Sequence, residues 1–156
     1  RIREQGRFQI NGATHKKGAV MLPFLLQRRV AMKIIDAINK IDALKPNIYS
    51  QEEKVAWLSE LDGQIHKNII MTHEHTEEQE AFDGYGENVD PDTVLLVPAP
   101  HDQSVYLSWL QSKIDYFNGE YARYNNSKIA FNDAYSEFNN YYNRNNMPIG
   151  SKIRYF

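Results

Sequence analysis

One apolar stripe governs what the C-terminal third of this chain can fold into. Leu107, Leu110, Ile114, Phe117, Tyr121, Tyr124, Lys128, Phe131, Tyr135, Phe138 and Tyr142 follow one another at alternating steps of three and four residues. On a helix of about 3.6 residues per turn such steps stay on one face. The spacing predicts helix here, with Trp109 beside the stripe. The phase runs on through Asn125-Asn126-Ser127. It is therefore compatible with one long helix over about 103–143, or with two nearly collinear helices kinked at 125–127. Asp102 suits the N-cap. Met147-Pro148-Ile149-Gly150 ends the pattern, and the remainder reads as an extended tail.

Asn118, Asn125, Asn126, Asn132, Asn139, Asn140 and Asn143 crowd the outer faces of this segment. Asn, Tyr and Phe are mediocre helix formers, so such a helix needs packing partners. Earlier helices supply some, and neighbouring subunits are expected to supply others. Tyrosine brings a large apolar area and a polar tip, which suits a core or a subunit interface. Stacking on nucleic-acid bases would require a positive groove, and only Lys113, Arg123, Lys128 and Arg144 are basic around the stripe.

Upstream, Ile34, Ile35, Ile38, Ile41 and Leu44 recur at helical spacing until Pro46 stops the run. Ser50 and Glu53 match a capping box, and Val55, Leu58, Leu61, Ile65 and Ile69 continue from it, fading near His73. Gly63 inside that helix costs about 1 kcal/mol against Ala, which a close neighbour would justify. Residues 74–92 hold Glu74, Glu77, Glu78, Glu80, Asp83, Glu87, Asp90 and Asp92 with no basic residue. They read as an exposed, mobile acidic loop. Residues 94–97 read as a short extended piece laying Leu95 and Leu96 against the helices. The fold class expected is mostly α, a small helical bundle.

Charge marks a seam near residue 32. Residues 1–32 carry seven Lys and Arg against Glu4 alone, a formal +6, and the rest carries eleven against nineteen, a formal −8. Gly6, Gly12, Gly18 and Pro23 interrupt the first segment, which has no sustained period. Two readings stand for residues 1–31. One is a basic N-terminal arm. The other is translated upstream sequence before a start at Met32, since Gln27-Arg28-Arg29 is compatible with a purine-rich ribosome-binding site. The domain proper is then 32–156. Residues 19–26 are apolar but broken by Pro23 and followed by arginines, without the cleavage pattern of a signal peptide. No apolar run approaches the roughly 18 residues that span a bilayer. The absence of cysteine excludes disulfides and Cys-ligated metal.

The chemistry-bearing residues are few. His66 and His73 share a helix face, and His73-Glu74-His75 follows at its frayed end. Metal enzymes use tighter helical pairs and a third ligand, while cationic residues at a helix C-terminus are favoured by its dipole. Asp83, Glu87, Asp90 and Asp92 do not have the spacing of a calcium loop. In a multimer the acidic loop could instead face a DNA channel and repel the duplex from its wall. His101 with Ser104, Ser108 and Ser112 forms no nucleophile–base arrangement, and Gly84-Tyr85-Gly86 lacks the setting of a phosphate loop. No catalytic residue, cofactor or metal is expected.

Residues 33–156 resemble a family of small phage and prophage proteins of Gram-positive bacteria, described as head–tail connectors or adaptors. The resemblance rests on Leu44-Lys45-Pro46-Asn47, Trp57-Leu58 with Leu61-Asp62-Gly63, and Ile69-Ile70-Met71-Thr72-His73-Glu74. It continues in Leu95-Leu96-Val97-Pro98, Ile114-Asp115-Tyr116 and Asn118-Gly119-Glu120-Tyr121. Tyr124-Asn125-Asn126, Phe131-Asn132, and Tyr141-Tyr142-Asn143-Arg144 with Met147-Pro148 complete it. It implies a non-enzymatic virion component, assembled in the host cytoplasm. Such a protein would form a ring-shaped homo-oligomer between portal and tail or stopper proteins, with packaged DNA passing through and no membrane partner. Ile153, Tyr155 and Phe156 would dock on a neighbouring subunit, so deleting 148–156 should impair assembly and spare helicity. The alternative function is a nucleic-acid-binding regulator using the basic arm.

Overall fold

A computed structural model describes residues 31–74, 81–86 and 88–150. The basic segment 1–30, His75 and the tail residues Ile153, Tyr155 and Phe156 lie outside the described residues. Among the described residues four helices make up the bundle: α1 Ile34–Leu44, α2 Gln51–Asn68, α3 Asp102–Phe117 and α4 Tyr121–Asn145. A 3-10 turn, Ile70–Thr72, extends α2. Among the described residues no helix is long and apolar enough to cross a membrane.

The first two helices follow their sequence signals. Ile34, Ala37, Ile38 and Ile41 line the buried face of α1, while Leu44 is left exposed at its end. Lys33 gives no side-chain cap. The amides of Ile34 and Ile35 instead donate to the carbonyls of Thr93 and Pro91, which satisfies two of the orphan donors at a helix start. Both halves of the Ser50–Glu53 capping box form at the head of α2. A Cβ placed on Gly63 would sit 3.7 Å from the Phe82 ring, an ordinary van der Waals contact, so the close neighbour expected there does not itself require glycine. In the segment 94–97 the side chains alternate. Leu95 and Val97 are buried and Leu96 only half so, which corrects the expected Leu95–Leu96 pair.

The C-terminal stripe is the larger correction. It forms neither one long helix nor a collinear pair kinked at 125–127, but a hairpin folded back at Asn118-Gly119-Glu120. Gly119 has φ +73°, its amide donates to Tyr116, and the Glu120 amide reaches back to Asp115. This double closure with a left-handed glycine is the Schellman arrangement that ends helices. Periodicity could not detect the reversal, because α3 and α4 turn the same stripe toward each other. They share the largest helix–helix contact among the described residues. Asn125 to Ser127 continue α4 without a break, and the Ser127 hydroxyl donates to the Asp115 carboxylate across the hairpin. Asp102 is the first residue of α3 rather than its cap. Its carboxylate accepts the Met32 and Gln103 amides, tying the chain before α1 to the start of α3.

The segment after α4 is partly integral to the bundle. Glu74 N–H donates to Met147 O at 2.7 Å and Ile149 N–H to Thr72 O at 2.9 Å, so 147–149 pairs with the end of α2. A deletion starting at 148 would therefore cut a fold contact as well as the tail.

Candidate functional site

The stripe residues divide into three groups. Trp109, Leu110, Ile114, Phe131 and Phe138 are buried. Leu107, Tyr124, Tyr135 and Tyr142 are half-buried. Phe117 and Tyr121, beside the hairpin turn, are exposed. Phe117 belongs to an aromatic cluster at one end of the bundle, and Tyr121 stands just past the turn. Trp57 stacks on Phe117 with ring centroids 5.5 Å apart, Tyr49 meets Trp57 edge-on at 5.3 Å, and Tyr116 meets Phe117 at 5.4 Å. Nearby, Leu44 and Ile48 stand in solvent, Ile48 with 94% of its surface free. Tyr49, Trp57 and Tyr116 fell off the stripe and were missed as members of this surface. The packing of α3 against α1 and α2 brings their elements together.

Beside this end, a groove of about 350 Å³ runs between α3 and α4, lined by Trp109, Ser112, Lys113, Tyr116, Phe117, Tyr124 and Lys128. Both ammonium groups lie over the Trp109 ring, Lys113 at 4.6 Å and Lys128 at 5.1 Å from its centroid. Lys113 is paired with Glu60 at 2.6 Å. Partial burial, then repulsion from Lys113, holds the Lys128 ammonium below its usual pKa.

Two buried polar networks fix the surroundings. In the first, Lys45 pairs with the buried carboxylate of Asp115 and, at 3.0 Å, with Glu120. The hydrogen bond from Lys45 holds the Glu120 carboxyl below its ordinary pKa. In the second, Asp62 is completely buried and accepts from the hydroxyls of Tyr106 (2.6 Å) and Tyr85 and from the Leu96 amide (3.2 Å). The Tyr106 hydroxyl in turn accepts from Val97 N–H. With the Tyr85 amide donating to Ser59 Oγ, this network pins the loop to α2. The described part of the acidic stretch is thus docked through Tyr85, and not wholly the free loop its charge suggested.

Burial raises the pKa of Asp62 despite its three donors, and burial followed by the Asp62 charge raises both tyrosines. The sign for stability follows from linkage. Between the ordinary aspartate value and the raised one, the folded state binds more protons than the unfolded, so this group's stabilising contribution is lost as pH rises through that window. In Asp62→Asn the loss disappears. The stability of wild type relative to that variant is expected to fall as pH is raised from about 4 toward neutrality, read by urea unfolding at several pH values. A pH-independent difference would contradict the assignment.

The described histidines have separate partners. His73 is buried, with Nδ1 2.7 Å from the Ile69 carbonyl and Nε2 2.7 Å from the Asn143 side-chain amide, and with its ring edge-on to Tyr142. A carbonyl only accepts, so Nδ1 carries a proton and donates. Both nitrogens are committed to joining the ends of α2 and α4. His66 rests against Phe82. Among the described residues no group of three His, Asp or Glu side chains is arranged to hold a metal ion. Comparison with known proteins found no matching family model, curated protein or solved structure.

Proposed function

We propose that this chain is a structural virion component of the phage head–tail connector kind, assembling with copies of itself and with portal and tail proteins, without turnover. The observation that carries the reading is the aromatic end where half-buried Trp57 stacks on exposed Phe117 beside exposed Tyr116, with Tyr121, Leu44 and Ile48 also exposed. A cluster of large apolar side chains open to water marks a protein-contact surface. Several motifs that carry the family resemblance converge on this end. Lys45 meets Glu120, Tyr49 meets Asn118 next to Gly119, and Trp57 meets Phe117. The two buried networks support the reading as well, since they lock the helices beneath the surface into one rigid platform.

Negative-stain electron microscopy of the concentrated full chain tests it. Closed rings of uniform diameter are the expected result. Particles no larger than a single bundle at every concentration would contradict ring assembly.

A further inference from the structure

The molecule carries a cationic groove and an acidic loop that both contact helix α2. Successive residues of α2 are about 100° apart around its axis. Trp57 and Glu60 project toward the α3–α4 hairpin: the Trp57 carbonyl accepts the Trp109 indole N–H at 2.7 Å, and Glu60 pairs with Lys113. Ser59 and Gly63 meet Tyr85 and Phe82 of the loop, and buried Asp62 joins Tyr85 to Tyr106 of α3. Groove and loop thus meet α2 through different residues and are different surfaces of one copy.

Their charges are complementary. The groove holds two ammonium groups against the single carboxylate of Glu60. Lys128, half-buried on the faces of Trp109 and Phe131, has no carboxylate partner among the described residues. On the loop Asp83 is exposed with no basic partner among the described residues, and Asp90 spends one carboxylate oxygen on the Asp92 amide. We infer that the α3–α4 groove is a carboxylate-binding site for the loop of a second copy, with Asp83 entering between Lys113 and Lys128. Groove and loop are different surfaces, so the contact is head-to-tail. Repeated, such contacts close into a ring or run on as a filament. The inference rests on the self-assembly proposed above and assigns its subunit contact.

Mixing two variants of the full chain tests it by sedimentation velocity. Lys113→Met with Lys128→Met removes the groove charges, and Asp83→Asn with Asp90→Asn removes the loop charges. Each variant alone is expected to self-associate about tenfold or more weakly than wild type. An equimolar mixture should form one-to-one pairs and nothing larger, because each pair joins one intact loop to one intact groove. Wild-type assembly should also weaken as salt is raised. If wild type assembles and both variants assemble equally well, the groove–loop contact is wrong while self-assembly stands. If wild type is monomeric at every concentration, both readings fall. Should the lysine variant lose its circular dichroism, the loop variant decides alone, since Asp83 and Asp90 are exposed.

Discussion

Replacing Lys45 with methionine is expected to destabilise the fold by about 3–5 kcal/mol, the usual cost of leaving a buried charge without its partner. The Asp115 side chain is only 1% exposed, and Lys45 is its cationic partner. The Ser127 hydroxyl would remain as a donor, but one neutral hydrogen bond does not offset a carboxylate's lost solvation. The companion substitution separates charge from packing. Adding Asp115→Asn to Lys45→Met removes the stranded charge and should recover much of the loss, whereas an additive model has the second change destabilise further. Urea unfolding followed by circular dichroism measures both. A loss below about 1 kcal/mol for Lys45→Met would show that the pair does not carry the turn as described.

The two tryptophans should respond very differently to truncation. Trp109→Ala is expected to cost about 3–5 kcal/mol, because the indole fills the space between α3, α4 and α2 and collapse around the vacancy is restricted. It packs on Phe131 at 5.0 Å and donates its N–H to the Trp57 carbonyl. Trp57 is half-buried in the aromatic end, so Trp57→Ala should cost well under half as much while weakening assembly. Thermal unfolding of both variants gives the comparison. Equal losses would mean that the aromatic end is core rather than contact surface.

Local chemistry made much of this fold legible. Ser50 and Glu53 announce α2 because a capping box is completed within four residues. Pro46 closes α1. The hairpin was not legible from periodicity, although Asn118-Gly119 carries the glycine that a left-handed helix end requires. A stripe that faces itself after reversal has the same spacing as one that continues. The buried ions were least visible. Lys45 and Asp115 are 70 positions apart and Asp62 and Tyr106 are 44 apart, and in sequence each is an ordinary polar residue. Only packing makes them partners. The same is true of the groove, where Lys128 looks like an interruption of the stripe and comes to lie over both Trp109 and Phe131.

Among these residues, those of the candidate surface link sequence to function through exposure. Phe117 and Tyr121 have the periodicity of core positions and are left in water because the chain turns between them. Residues that helical spacing assigns to the interior, but that the fold leaves open, are available to a partner. The molar mass of the purified full chain, followed by light scattering as concentration is raised, tests this account most directly. A discrete multimer, approached reversibly and weakened by Phe117→Ser with Tyr121→Ser, is the expected result. A mass fixed at the 18.2 kDa of one chain throughout would contradict it.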